Sequence, residues 1–215
     1  SNVPSVLIVE DNIDMRQYLA EYLSDFYRIH LAENGEDAYN RVRFLHPDII
    51  VSDVMMPLMR GDELCHKLKD DIETSHIPVI LLTALADNDS VVEGLSTLAD
   101  AYITKPFSID ILKAQIDNLI SNRRRLQAIF SQIAIKVESG EHNWENIVKG
   151  MEDTSALPVS RDIGFLKKIN AIVDENIAQA DFTVDTLCTL IGLSRTSLYN
   201  KLKAMTGYPP ADLIR

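Results

Sequence analysis

Short apolar runs alternate with helix-period stripes along the first half of the chain, and four of the runs end on polar residues. Ser5-Val6-Leu7-Ile8-Val9 leads into Glu10-Asp11, and Ile49-Ile50-Val51-Ser52 leads into Asp53. Pro78-Val79-Ile80-Leu81-Leu82 leads into Thr83, and Ala101-Tyr102-Ile103-Thr104 leads into Lys105-Pro106. Runs this continuously apolar read as strands buried on both faces, as in a parallel sheet. Between them the pattern predicts helices at about 13–24, 36–44, 61–71, 87–98 and 108–122. In the first of these, Met15, Tyr18, Leu19, Tyr22 and Leu23 recur at helical spacing and form one apolar stripe. Five βα units predict an α/β fold, a five-stranded parallel doubly wound sheet covered on both faces.

The pattern weakens after residue 122. Arg123-Arg124-Arg125 opens a segment to about residue 160 that contains Ser139-Gly140, Trp144, Gly150 and Pro158, and it reads as a partly helical linker. The arginines suit a helix C-terminus or a phosphate-binding patch. From Gly164 the helical period returns in Phe165, Leu166, Ile169, Ile172 and Val173, ending near Ala180. Val184, Leu187, Cys188 and Ile191 make a second stripe, Gly192 a turn, Ser194 an N-cap, and Leu198, Leu202 and Met205 a third stripe closed by Gly207. Two short helices joined through a glycine turn form the helix-turn-helix pattern, a small all-α tail.

Composition adds two constraints. Hydrophobic residues at 46% and charged residues at 25% are ordinary for a globular chain of 215 residues, and no apolar stretch reaches membrane-spanning length. A cytoplasmic location without membrane contact is expected, and Cys65 and Cys188, which lack metal-ligand spacing, are expected as free thiols. The charge of −11 is uneven: residues 1–120 carry 9 basic and 21 acidic side chains, whereas residues 161–215 carry 7 and 6. Nucleic acid would be repelled by the first half and approached only by the tail.

The carboxyl ends of parallel strands converge on a crevice where ligands bind. Glu10, Asp11, Asp53, Thr83 and Lys105 would share that crevice. Three carboxylates repel one another by roughly 4 kcal/mol per pair at 4 Å and an effective dielectric of 20. A divalent cation converts that repulsion into affinity, and magnesium takes oxygen ligands of this kind. Such a set can receive a phosphoryl group on a carboxylate, with Lys105 neutralising a phosphoryl oxygen. Simpler roles stand beside these. Glu10-Asp11 suits a helix N-cap, Asp53 alone a post-strand acid, Thr83 a β-branched strand residue, Tyr102 a half-buried strand aromatic, and Met55-Met56-Pro57 packing.

Taken in order, the paired acids after the first strand, Asp53 after the third, Thr83-Ala84 after the fourth and Lys105-Pro106 after the fifth resemble a response-regulator receiver domain over about residues 4–122. The resemblance implies a flavodoxin-like sheet and phosphoryl transfer to Asp53 from a histidine kinase on the same or another chain. It implies Mg2+ or another divalent cation on Glu10, Asp11, Asp53 and the Met55 backbone carbonyl. It also implies a switch in which the Thr83 hydroxyl moves to the phosphoryl group and Tyr102 swings inward. Homodimerisation on phosphorylation would follow, through the helix at 87–98, the strand ending at Lys105 and the helix at 108–122. Apolar Met55 and Leu85 would hold no in-line water, so slow self-dephosphorylation is expected.

Residues Phe182-Thr183-Val184 through Ile191-Gly192-Leu193-Ser194-Arg195, then Leu198-Tyr199-Asn200-Lys201-Leu202-Lys203 and Thr206-Gly207-Tyr208-Pro209-Pro210, resemble the DNA-binding domain of AraC-type activators. The resemblance covers about 163–215, within a tail taken as 161–215 after a linker at 123–160. It implies DNA contacts from Arg195, Thr196, Tyr199, Asn200 and Lys203, the residues turned outward when Leu198, Leu202 and Met205 face in. A bundle that docks on a protein partner is the alternative. That family has two helix-turn-helix units and this sequence holds one, so a fragment of a longer chain is expected, similar to the C-terminal part of a hybrid sensor kinase. A free-standing regulator is the alternative. In either case the chain itself is expected to perform only its own phosphorylation and dephosphorylation, without being an enzyme otherwise. A phosphatase with an aspartyl-phosphate intermediate often places a second Asp where Met55 stands, and a receiver serving only as a relay is the third reading.

Overall fold

The structure is a computed structural model, and it describes residues 3–84, 98–138, 160–176 and 182–206. Five parallel strands, β1 (Ser5–Val9), β2 (Arg28–Ala32), β3 (Ile49–Asp53), β4 (Val79–Ala84) and β5 (Ala101–Lys105), form one sheet in the order β2-β1-β3-β4-β5. The order reverses between β1 and β3, which places the ligand crevice of a doubly wound sheet beside their carboxyl ends. Register carries Val9 opposite Ser52 and Asp53 opposite Leu82, so the strand ends line up.

Helices α1 (Ile13–Leu23), α2 (Gly35–Leu45) and α3 (Gly61–Asp70) follow the first three strands, and α4 (Ile109–Glu138) follows β5. Strand alternation divides the core into two layers. Leu7, Val9, Ile50 and Leu81 pack with Ala38, Val42, Leu64 and Leu68 from α2 and α3. Val6, Ile8, Val51, Ile80 and Ile103 pack with Leu19, Leu23, Leu112 and Ile116 from α1 and α4. Cys65 lies in the first layer with no exposure, and burial pushes its thiol up to about 12. It is a packing residue, and both cysteines are free.

The first three helices agree with the expected spans to within a residue or so. The helix expected at 87–98 lies outside the described residues, apart from Leu98 at its end. The fourth helix corrects the expectation: it runs to Glu138, where the sequence pattern ended it at 122, so Arg123-Arg124-Arg125 lie inside a helix and not at its C-terminus. The physical reason is plain, because arginine is a good helix former and no glycine or proline occurs between Ile109 and Gly140. Ser108 supports its start, its Oγ accepting from the Asp110 amide at 3.3 Å.

By compactness the chain divides into Ser1–Asn122 and Arg123–Arg215. In the second unit α5 (Ser160–Asn176), α6 (Val184–Ile191) and α7 (Arg195–Thr206) enclose a core of Leu166, Ile169, Val173, Leu187, Cys188, Leu198, Leu202 and Met205. Thr183 caps α6, Gly192 takes the left-handed conformation (φ 80°) that ends it, and Ser194 Oγ accepts from the Ser197 amide at 3.0 Å to start α7. Gly207 and the residues after it lie outside the described residues. No helix among the described residues is long and apolar enough to cross a membrane.

Candidate functional site

β1 delivers Glu10 to the crevice with only 2% of its surface exposed, because the chain must leave the fully buried strand before it reaches solvent. Asp11 follows, exposed, and Asn12 caps α1 by accepting from the Met15 amide at 2.9 Å. The cap role considered for the acids therefore belongs to Asn12, which leaves both carboxylates for the crevice. Asp53 ends β3, half-buried, with the Met55 amide donating to its Oδ1 at 3.4 Å. One carboxylate oxygen from each of Glu10, Asp11 and Asp53 lies within 4.8 Å of the other two.

Lys105 at the end of β5 closes the group. Its Nζ donates to Asp53 Oδ2 at 2.8 Å and to Glu10 Oε2 at 3.1 Å. Burial works against its charge, but the hydrogen bonds it donates to Asp53 and Glu10, with their charges, outweigh it and hold Lys105 above its ordinary range. Glu10 is raised above 4.5, first by burial and then by the Asp53 charge, against the opposing pull of Lys105. The acids and Lys105 open into a recess of about 650 Å³ rimmed by Asp14, Met15 and Tyr18 on α1.

The raised Glu10 has a direct consequence. A carboxylate whose folded pKa lies above its unfolded value stabilises the fold only while protonated, and that contribution is lost as pH rises from 4.5 through the folded value. Without a divalent cation, Glu10→Gln is therefore expected to melt above the wild type at pH 7.5, with the gap closing toward pH 4.5. Melting curves in chelator at both pH values test this. An unchanged gap would mean that the Glu10 charge is not what separates the two proteins.

Thr83 is buried near the end of β4 with its Oγ1 donating to the Ala84 carbonyl at 3.4 Å. It follows Leu82, the register partner of Asp53, on the neighbouring strand. Tyr102 on the edge strand is 39% exposed. Met55 is exposed beside Asp53, and Leu85 lies outside the described residues. The structure thus brings Glu10, Asp11, Asp53 and Lys105 together, and Thr83 lies near the end of the neighbouring strand β4.

The tail residues divide differently. Arg195, Thr196, Tyr199 and Lys203 are exposed and Asn200 is half-buried. Arg195 pairs with Asp185 at 3.5 Å, and Lys203 Nζ sits 5.5 Å from the centre of the Tyr199 ring. Lys201 is 1% exposed with its Nζ 5.9 Å from the centre of the Phe165 ring. The pattern reading passed over it, although Lys201 falls at i+3 from Leu198, on the buried stripe. A long aliphatic stem lets lysine occupy such a position. Arg16 was also passed over, and it contacts the acidic loop from α1.

A profile of the family described as response regulator receiver domain matches residues 6–117. The chain is 39% identical over 211 residues to a protein named histidine kinase P4 from Formosa agariphila, covering 98% of this chain and 14% of that protein. It is 30% identical over 215 residues to response regulator Rre1 from Synechocystis, covering 90% of this chain and 93% of that one. Among solved structures, the signal receiver domain of a signal transduction histidine kinase from Syntrophus aciditrophicus superposes with a TM-score of 0.53 at 40% identity, over 57% of this chain and 93% of that domain.

Proposed function

This chain belongs to the response regulator receiver family, and from that premise we propose that Asp53 accepts a phosphoryl group from a histidine kinase and thereby controls a DNA-binding tail. The observation that carries this reading is Lys105, whose ammonium bridges Asp53 and Glu10 at the mouth of the sheet. An Asp53 carboxylate oxygen attacks phosphorus, the bond from phosphorus to the donor breaks, and the donor leaves with that electron pair. Lys105, already 2.8 Å from Asp53, neutralises one phosphoryl oxygen.

An all-oxygen donor set with three negative charges fits a hard divalent cation. Mg2+ held by Glu10, Asp11, Asp53 and the Met55 carbonyl would supply positive charge against the incoming phosphate. Thr83, near the end of the neighbouring β4, would then hydrogen-bond the new group, and Tyr102 would turn inward to report it. Phosphorylation would favour a homodimer, bringing two tails to one DNA site and raising their local concentration. Arg195, Thr196, Tyr199, Asn200 and Lys203 on α7 are the DNA-facing set in this AraC-type reading. Beyond its own phosphorylation and dephosphorylation the chain performs no catalysis.

Similarity along 98% of the chain to part of a histidine kinase favours a hybrid parent in which kinase, receiver and output share one polypeptide. Coverage of 93% of response regulator Rre1 favours the second reading, a free-standing regulator.

The test is intact mass after exposure to acetyl phosphate, with Mg2+ and with chelator. One phosphoryl group should be gained only with Mg2+ and should persist for many minutes, since Met55 offers no side-chain group to hold an attacking water. No gain would overturn phosphoryl acceptance. Loss within seconds would overturn the slow-hydrolysis part alone.

A further inference from the structure

Of the three acids in the recess, two are held by their own side-chain partners. Glu10 is bonded by Lys105 and by the Asn12 amide at 3.3 Å, and Asp53 by Lys105 and the Met55 amide. Asp11 differs. It is exposed, and its carboxylate makes no hydrogen bond or ion pair among the described residues. No side-chain partner fixes its direction, which leaves the backbone to set where the side chain starts.

That backbone is gripped from α1. Arg16 donates one guanidinium N–H group to the Glu10 carbonyl at 2.5 Å and approaches the Asp11 carbonyl at 3.4 Å. The first carbonyl belongs to the peptide plane before the Asp11 Cα and the second to the plane after it. Holding both planes fixes the two dihedrals of Asp11 and with them the direction of its Cα–Cβ bond. The Arg16 side chain is 11% exposed, and its other terminal nitrogen lies 3.7 Å from Glu33 beyond β2. Its own amide donates to the Asn12 carbonyl at 2.9 Å, so the guanidinium and the loop it grips belong to one short, closed unit.

We propose that Arg16 is a positioning residue that aims the Asp11 carboxylate into the recess by clamping the Glu10 and Asp11 carbonyls. The proposal rests on the reading of the recess as a divalent-cation site. It acts against simple electrostatics. A guanidinium beside an acidic site repels an incoming cation, so charge alone predicts that removing Arg16 strengthens cation binding. Positioning predicts that removal weakens it, and the sign separates the two.

The experiment is calorimetric titration of Mg2+ into the full chain, as wild type, Arg16→Gln and Arg16→Lys, each with and without Asp11→Asn. Arg16→Lys keeps the charge and the aliphatic stem while losing the fork, so it remains informative should Arg16→Gln fold poorly. Loss of a group that orients a metal ligand typically weakens affinity by about 10-fold or more, and about 10-fold is expected for both variants. In the Asp11→Asn background the further loss should vanish, because Arg16 acts through Asp11. Equal or tighter binding by the Arg16 variants would overturn the proposal, as would an undiminished loss in the Asp11→Asn background. Absence of Mg2+ binding by the wild type would remove the cation reading itself, and the role of Arg16 would fall with it.

Discussion

Asp53→Asn is expected to gain no phosphoryl group from acetyl phosphate under conditions where the wild type gains one. The substitution keeps the shape of the side chain and removes its nucleophile, because an amide oxygen carries too little charge to attack phosphorus. The surroundings tolerate the change. The two donors reach different oxygens of Asp53, so the single Asn oxygen keeps either Lys105 or the Met55 amide and not both, while Lys105 retains Glu10 at 3.1 Å. One of three crowded carboxylates disappears, and with it the Asp53 charge that helps to raise Glu10. The variant should therefore melt within a few degrees of the wild type, so that its failure to react reports chemistry and not unfolding. Intact mass and a melting curve on the same sample check both statements. A phosphoryl gain at the wild-type rate would move the acceptor elsewhere. Exposed Asp11 would then be the carboxylate to examine, since Glu10 is buried and engaged.

How much of this was legible in the chain depends on what each residue needs from its neighbours. Strand ends were legible because β1, β3 and β4 carry apolar runs at 6–9, 49–51 and 79–82, and the polar residues at or just after the strand ends, Glu10, Asp53 and Thr83, mark the crevice. β2 carried no such run: Arg28 and His30 interrupt it, as an edge strand permits, and burial lowers the pKa of half-buried His30. Lys105 was legible from position alone, but its simultaneous bonds to Asp53 and Glu10 depend on the parallel register that brings β5 past β4 to β3. Arg16 was not legible. On a helix wheel it is one more polar residue, and its partners are carbonyl oxygens, which a sequence does not display. The extent of α4 was misread because three arginines in a row look like a boundary, although nothing in them breaks a helix.

The second large effect is the replacement of Gly61. Gly61 opens α3, and its amide donates to the Val54 carbonyl at 3.0 Å, which holds the start of the helix against the end of β3. A Cβ there would lie 2.0 Å from the Asp53 carbonyl oxygen, 2.9 Å from its carbon and 2.8 Å from Ser52 Oγ. Two of those atoms are backbone, so no rotamer change relieves the overlap. Either α3 moves, disturbing the packing of Leu64 and Leu68, which have no exposure, or the end of β3 moves and carries Asp53 with it. Overpacking of this kind typically costs about 3 kcal/mol, which lowers the melting temperature by roughly 10 °C in a protein of this size. Gly61→Ala should show that loss in urea unfolding. Because displacement of a reacting group by about 1 Å can slow a reaction by about 100-fold, it should also accept phosphoryl groups far more slowly at a temperature where it is fully folded. The pairing of the two losses is the point: a destabilised variant that reacts at the wild-type rate would show that α3 yields and Asp53 stays. A variant as stable as the wild type would show that the contact between Gly61 and Asp53 does not constrain the site.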